Sequence, residues 1–468
     1  EYLLRSCFGV CALSFEGIAF AKRFIALTND YPMWHLGCNM ANDSASQKWL
    51  ESTKSHGMAL GLENTHAILE QLQIYLPNTT IIHVAGSNGK GTLCSLIAAS
   101  LCLNNTSNVL FSSPHLCRVE ERIRVNGVPV SSINFNQAID KVRKIATELS
   151  ILPTFFETTF IAAMIIAEIQ EPRYLILETG LGGRLDATRC ASADICVLTS
   201  ISAEHTDILG DNINQIIAEK AAIGRPGKPI IVKKMELPFF ERTVRFTTDN
   251  CAQALLGEPD QKADCKFVRV SPEATTLDEA ETLANAVFEA LSINPKMVKQ
   301  AKKELNWPAR MQTLKLNSGH RIILDSAHNP SGLSRVKDQL IDLGKKSNES
   351  NKLSLIFGTS PQKELVTMLG LVRDICSNFS TVDLYLTKPE GGRYLPVDLG
   401  VLANFDWLHC NIGLYENATS VMQSLLGKNP LEVGNILSIG SLYLQGNILS
   451  YLGKDSDDDL SLLPKQSN

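Results

Sequence analysis

The residues best suited to chemistry are His83–Thr92, HVAGSNGKGT. A β-type run, Thr79-Thr80-Ile81-Ile82, precedes them, and the apolar, Ala- and Leu-rich stretch Leu93–Leu103 follows as a helix. Strand, Gly-rich turn and helix together aim backbone N–H groups and a helix N-terminus at phosphate. Gly86, Gly89 and Gly91 let the backbone approach a ligand closely. Lys90 supplies a point charge for β- and γ-phosphates, and Thr92 a hydroxyl close to a metal. The match to the general phosphate loop is imperfect, because Gly91 separates Lys90 from Thr92 and Val84 stands where the first glycine belongs. A plain Gly-rich turn is the competing reading, and the flanking strand and helix argue against it.

Four further polar clusters fall where apolar strands end, which is where ligands sit in doubly wound sheets. Ser112-Ser113-Pro114-His115 follows the strand ending at Phe111, and Glu178 closes another strand ahead of Gly180, Gly182 and Gly183. Glu204-His205-Thr206-Asp207 follows a strand ending near Ser200, and Asp325-Ser326-Ala327-His328-Asn329-Pro330 follows Ile322–Leu324. Taken singly, each has a plainer reading: Ser113 as a turn residue, Glu178 as a solvated or paired carboxylate, His205 as a hydrogen-bonded loop histidine, Asp325 as a helix N-cap. Taken jointly, a hydroxyl, a carboxylate and a histidine beside a phosphate loop suit octahedral Mg²⁺, which uses few protein ligands and completes its shell with phosphate oxygens and water.

The elements that must position these groups alternate. Helical spacing covers Ser46–Tyr75 with a break at Gly57–Gly61, then Phe135–Leu149, Thr159–Ile169 and Asn212–Ile223, the last closed by Gly224 and Pro226. Val109–Phe111, Tyr174–Glu178, Ile195–Ser200 and Ile230–Val232 read as strands. The fold class is therefore α/β, with a phosphate-loop-type, doubly wound, largely parallel sheet. After Trp307-Pro308 a smaller Rossmann-like α/β domain begins: strands Arg321–Asp325, Leu353–Phe357, Val382–Leu386 and Ile436–Gly440, helices Gly332–Leu343 and Lys363–Cys376. Cys251–Asp278 is polar and poorly periodic and is left unplaced. The expected organisation is an extension of unassigned role over 1–39, with Met40 as a plausible start, then a nucleotide-binding domain over 40–308, a second domain over 309–455 and a solvated polar tail over 456–468.

Composition agrees with a soluble globular protein: of 468 residues, 20% are charged and 44% hydrophobic, enough for full cores. A net charge of -5 leaves no electrostatic footprint for nucleic acid. No apolar run is long enough to span a bilayer. The twelve cysteines show no metal-binding spacing, Cys7 and Cys11 being four apart. Cys94, Cys102, Cys190 and Cys196 lie in apolar surroundings and read as buried free thiols, a usage that fits a reducing, cytoplasmic setting.

The chain resembles the folylpolyglutamate synthase/dihydrofolate synthase family of the Mur-ligase-like superfamily. The resemblance rests on HVAGSNGKGT, FSSPHLCRVEERIRVNG, FFETTF, ILETGLGGRLDAT, TSISAEHTDILG, AEKAAIGRPGKP, WPAR and LDSAHNP, in family order over about 58–330. Gly91 after the lysine favours the folate branch over cell-wall ligases. The resemblance implies ATP-dependent amide formation: a substrate carboxylate takes the γ-phosphoryl group, and the amine of L-glutamate displaces phosphate. It implies ATP contacts from Ser87, Asn88, Gly89, Lys90, Gly91, Thr92, Arg310 and Asp325, and Mg²⁺ contacts from Ser113, Glu178 and His205. Lys90, Lys220 and His328 become the catalytic set, with Lys220 matching a lysine carried as a carbamate. Without the family, Lys220 reads as a surface helix lysine.

Phe155, Phe156, Glu157, Leu185, Asp186 and Ala187 match positions lining a pterin-side pocket, an aromatic pair beside a carboxylate suiting a flat, hydrogen-bonding ring; core packing is the plainer reading of the two phenylalanines. Two features depart from the family. Glu204 replaces the aspartate usual before the metal histidine, and Thr276-Leu277-Asp278-Glu279-Ala280 replaces a Gln-x-x-Asn-Ala adenine-side segment. The expected partners are dihydropteroate or a reduced folate and L-glutamate, with ATP and Mg²⁺ as cofactors, no nucleic acid, no membrane, and a monomeric chain. GLGGRLDAT favours both dihydrofolate synthesis and chain extension. A Mur-like ligase for another acid, or an inactive nucleotide-binding homologue, is the alternative.

Overall fold

The apolar runs become the central strands of two sheets. The computed structural model describes residues 45–57, 61–251, 262–346, 351–392 and 395–464. The extension 1–39, with Cys7, Cys11 and Met40, lies outside them. The first sheet contains β1 (Thr80–Ala85), β2 (Asn108–Phe111), β3 (Ile123–Val125), β4 (Val128–Pro129), β5 (Tyr174–Glu178), β6 (Ile195–Leu198), β7 (Pro229–Lys233) and β8 (Asp264–Val268). Their order is β4-β3-β2-β5-β1-β6-β7-β8. β2, β5, β1, β6, β7 and β8 run parallel, and β3 and β4 add an antiparallel edge.

Continuous apolar strands need cover on both faces, and helices on each side supply it. Helix Lys90–Leu103, apolar all round, buries every residue from Thr92 to Leu101, as expected of a helix enclosed by its neighbours. On the opposite face, helix Phe155–Gln170 buries Glu157 through Ala167. β1 lies between β5 and β6: the chain runs from β1 to β2 on one side of it, and later from β5 across it to β6 on the other. Such a switch point opens a crevice at the carboxyl ends of the strands.

The second sheet comprises β9 (Gln312–Lys315), β10 (Arg321–Leu324), β11 (Lys352–Phe357), β12 (Thr381–Thr387), β13 (Asn411–Tyr415) and β14 (Asn435–Ile439), in the order β13-β12-β11-β14-β10-β9. All pairs are parallel except β9 with β10. Both sheets are thus mixed, parallel at the centre with antiparallel edges. The unplaced stretch 251–278 supplies β8 and the start of helix Thr276–Ala290, while 252–261 lie outside the described residues. β8 and β13 are partly exposed and carry little apolar pattern, which hid them. Of the four cysteines read as buried, Cys94 and Cys196 are, whereas Cys102 and Cys190 are half-buried; all four are free thiols. Among the described residues no helix is long and apolar enough to cross a membrane.

The solvated tail needs correction. Ser456 caps a short helix, Asp457–Leu460, whose three aspartates sit at the favourable N-terminal end. Leu460 and Leu462 are fully buried. Leu462 N–H donates to Gly127 O at 2.9 Å, and Leu462 O accepts from Asn306 N–H at 2.8 Å. Leu462 packs into the core beneath helix Lys90–Leu103. The segment is a strap, acidic outside and apolar inside, and residues 465–468 lie outside the described residues. Leu462→Ala should cost about 2–5 kcal/mol in denaturant unfolding. A change within about 0.5 kcal/mol would return the segment to a solvated tail.

Candidate active site

The turn after β1 is shaped by its neighbours at the end of β6 together with its own Lys90 side chain. Gly86 has φ 147°, and a Cβ there would lie 1.9 Å from Thr199 Oγ1. Thr199 Oγ1 and Ser200 Oγ both donate to Asn88 O, at 2.9 and 3.0 Å. Ser87 N–H donates to Ser200 O at 2.6 Å. Gly89, at φ 86°, begins helix Lys90–Leu103. The first helical bond runs from Leu93 N–H to Gly89 O, so the N–H groups of Lys90, Gly91 and Thr92 precede it, the arrangement that receives an anion. Lys90 Nζ lies back over the loop, donating to Gly86 O at 2.9 Å and Ser87 O at 3.3 Å.

Glu178, the last residue of β5, is buried beside this helix start. Its Oε2 accepts from Ser113 N–H at 3.1 Å. A Cβ on Gly91 would lie 3.3 Å from Trp307 Cζ2 and 3.4 Å from both carboxylate oxygens, so the helix start lies directly against Glu178. Burial pushes the Glu178 carboxyl up, against Lys90, the Ser113 N–H, Arg310 and Arg122. Glu178 opens onto a cleft lined also by Gly91, Ser113, Trp307, Arg310 and Leu442, so the first sheet, the linker and the second sheet all contribute. Gly446 packs directly against this region, since a Cβ on it would lie 1.9 Å from Leu116 O.

A second buried charge cluster lies behind the loop. Lys220, 2% exposed, pairs with Glu204 Oε1 at 2.8 Å and donates to Gly86 O at 3.1 Å. Burial pulls the Lys220 amine down while Glu204 holds it up. Burial raises the Glu204 carboxyl, but Lys220 and Lys90 outweigh it and bring it down to about 2. Lys220 is therefore no surface lysine. Both of its partners accept hydrogen bonds from Nζ. His205 follows in a left-handed conformation, φ 47°, and burial lowers its pKa.

From the second sheet unit, Asp325 accepts from Met311 N–H at 2.9 Å and Ala327 N–H at 2.8 Å. The N-cap of helix Pro330–Lys345 is Asn329, not Asp325. His328 Nδ1 lies 2.9 Å from Ser326 O, leaving Nε2 as the free ring nitrogen. Arg310 is exposed at the linker, within electrostatic reach of both Glu178 and Asp325.

No family model matches the sequence. Among curated proteins, the dihydrofolate synthase/folylpolyglutamate synthase of Escherichia coli is 28% identical over 356 residues, covering 74% of this chain and 81% of that protein. The Buchnera aphidicola (subsp. Baizongia pistaciae) protein of the same name is 31% identical over 352 residues, covering 72% of this chain and 80% of its own length. The chain belongs to the dihydrofolate synthase/folylpolyglutamate synthase family. Escherichia coli FolC, solved with DHPP and ADP, superimposes with a TM-score of 0.72 at 24% identity, covering 88% of this chain and 98% of that one. The Yersinia pestis bifunctional enzyme, solved with AMPPNP and Mn, gives 0.70 at 25% identity, covering 88% and 98%.

Of the family's pterin-side positions, the two phenylalanines pack on different partners and the two carboxylates hold local backbone. Phe156 packs on Phe111, ring centres 5.6 Å apart, and over Gly180, where a Cβ would be 2.5 Å away. Phe155 carries Arg122 at 4.9 Å and Lys54 at 5.2 Å from its ring centre, with His115 at 6.2 Å. Glu157, in contrast, is buried in a capping box: Oε2 accepts Thr154 N–H at 2.8 Å, and Oε1 accepts Thr65 Oγ1 at 3.1 Å. Asp186 accepts from the N–H groups of Gly180, Leu181 and Thr188. Both carboxylates thus hold local backbone in place, and the Glu157 cap is one that Thr154-x-x-Glu157 announces in sequence. Leu185 is half-buried and Ala187 buried.

The donor chemistry for Mg²⁺ fits at Ser113 and Glu178, a hydroxyl beside a buried carboxylate that a divalent cation would stabilise. His205 shares Lys90 with Glu178 as an electrostatic neighbour. Among the described residues no three His, Cys, Asp or Glu side chains form a metal cage, so phosphate and water would complete the shell. Sequence reasoning missed Trp307 in the cleft and the ion-pair group Lys233–Glu279–Arg335, which lie far apart in the chain with no local motif to join them.

Two outcomes follow. Glu178→Gln keeps volume and the Ser113 contact, so the unfolding midpoint should hold while turnover falls on the order of 10²-fold; wild-type turnover would remove Glu178 from the site. The stability that Glu204 contributes is complete above its ordinary pKa near 4.5 and is lost as pH falls toward about 2. In Glu204→Gln that acid-sensitive step should vanish. Leaving Lys220 buried without its partner should cost about 3–5 kcal/mol at pH 7, read by urea unfolding across pH 2–7; an unchanged pH profile would show the pair to be inert.

Proposed function

We propose that the chain is an ATP- and Mg²⁺-dependent ligase that joins L-glutamate to a pteroyl carboxylate. The observation that carries this reading is the cleft that Glu178 lines with Gly91, Ser113 and Arg310, with Lys90 as an electrostatic neighbour of Glu178, in a chain of this family. We read the first sheet as a phosphate-loop, doubly wound layer and the second as Rossmann-like. Ser87–Thr92 and Lys90 Nζ receive the phosphates, with Arg310 and Asp325 on the far wall. Ser113, Glu178 and His205 would hold Mg²⁺, which when bound neutralises charge on the phosphoryl group.

A pteroyl carboxylate oxygen bonds to the γ-phosphorus as the bond to the β-bridging oxygen breaks, and ADP leaves with that electron pair. Lys90 offsets the charge in flight, and positioning supplies most of the rest. The glutamate amine nitrogen then bonds to the acyl carbon, phosphate leaves, and the amine gives up a proton. We assign that proton to His328, whose Nδ1 is engaged by Ser326 O so that Nε2 is the atom left to act. Phe155 and Phe156 supply the aromatic wall for the pterin. Lys220, as the ammonium, braces Gly86 O at the loop.

We further propose both activities, dihydropteroate first and a reduced folate second, in a monomeric, cytoplasmic protein. The bifunctional names of the relatives support this. The test is phosphate release from purified protein with ATP, Mg²⁺ and L-glutamate. Release should require both a pteroyl acid and glutamate. Release with a different acid would make this a ligase of other substrate, and none with any acid an inactive nucleotide-binding homologue. Complementation of a strain lacking dihydrofolate synthase separates the two activities, since failure to rescue with chain extension intact leaves only the second.

A further inference from the structure

Glu279 lies in the first turn of helix Thr276–Ala290, with its side chain 4% exposed. Its Oε2 pairs with Lys233 Nζ, at the carboxyl end of β7, and with Arg335 Nη2 at 2.6 Å. Arg335 belongs to helix Pro330–Lys345 of the second sheet unit. Its Nη1 also reaches Ser200 Oγ at 3.4 Å, the hydroxyl that donates to Asn88 O of the loop. From the same helix, Ser331 Oγ accepts from Asn88 Nδ2 at 3.3 Å. The other carboxylate oxygen, Glu279 Oε1, is buried without a hydrogen-bond partner. It is the atom nearest to a Cβ placed on Gly89, at 3.7 Å, so it faces the phosphate loop.

A carboxylate facing a phosphate site repels its ligand. Lys233 alone brings the pair to zero net charge, and Arg335 brings the group to +1. That last charge arrives only when the second sheet unit is docked. We propose that Lys233–Glu279–Arg335 is a clamp that couples docking of the second sheet unit to nucleotide binding, with Arg335 as a positioning residue. The clamp rests on the nucleotide reading of the loop given above. Linkage makes it reciprocal: docking tightens the nucleotide by the factor by which the nucleotide tightens docking.

The test uses the full chain, ADP with Mg²⁺ in calorimetry, and the radius of gyration from solution scattering. Arg335→Ala should weaken ADP on the order of 10-fold and enlarge the radius of gyration without ADP; Arg335→Lys should recover part of both. Glu279→Gln should also enlarge it, and Arg335→Ala/Glu279→Gln should be no more open than Arg335→Ala, since the two side chains share one interaction. Wild-type binding with the same ADP affinity and the same radius in Arg335→Ala would overturn the clamp alone. A merely structural Arg335 would lower the unfolding midpoint and leave the ADP affinity unmoved, which also overturns it. Wild-type protein that binds no ADP would overturn the nucleotide reading and the coupling with it.

Discussion

The approach of β1 to β6 at Gly86 is the constraint on which the rest of the site depends. The Thr199 hydroxyl occupies the volume a side chain on residue 86 would need, and with Ser200 it fixes the Asn88 carbonyl. The loop can then turn only one way, with its free N–H groups outward at the start of helix Lys90–Leu103. A loop held by its neighbours does not need a ligand to acquire its shape, and preorganised donors cost no rearrangement when charge arrives.

The same loop gathers four charges that are buried or half-buried. Lys90 and Lys220 both donate to Gly86 O, Glu204 answers Lys220, and Glu178 stands against Gly91. Buried charges are costly unless paired and hydrogen-bonded. Glu204 meets that condition and its carboxyl falls, while Glu178 has one backbone donor and more distant cations and its carboxyl rises. The two carboxylates thus divide the work: Glu204 is settled by the protein, and Glu178 is left to be settled by what enters the cleft.

The central strands were legible because burial on both faces demands long apolar runs; Tyr174–Glu178 matches the observed β5 residue for residue. Edge elements were not, because β3, β4, β8, β9 and β13 carry little apolar pattern. The strap 456–464 escaped because Asp457–Asp459 dominate its composition while two leucines do the packing. At the site, single-motif residues such as Lys90 and Glu178 could be read directly. The backbone hydrogen bonds of Glu157 and Asp186 were not legible from a family match, which identifies a position without showing which way its carboxylate turns. Lys233, Glu279 and Arg335 meet only through tertiary structure.

The linker shows how the two sheets are brought to one cleft. Arg310 is flanked by Ala309 and Met311, both in the left-handed region at φ 55° and 52°. Neither has a glycine's freedom there, and such residues persist only where surrounding contacts over-determine them. Gln312 Oε1 accepts from Ala309 N–H, Ala309 O accepts from Ser326 N–H, and Asp325 accepts from Met311 N–H, each at 2.9 Å. Upstream, Asn306 Nδ2 is tied to carbonyls of the strap, at Asp459 and Ser461. Arg310 therefore projects from a peptide pinned on both sides, by the second sheet through Asp325 and by the first through the strap. Burial of Asp325 raises its carboxyl while Arg310 opposes that rise, so the residue that fixes the linker's backbone also interacts with the side chain it aims. With the second sheet unit docked, a cation delivered this way has a defined place between the two sheets, set by backbone contacts rather than by its own side-chain freedom.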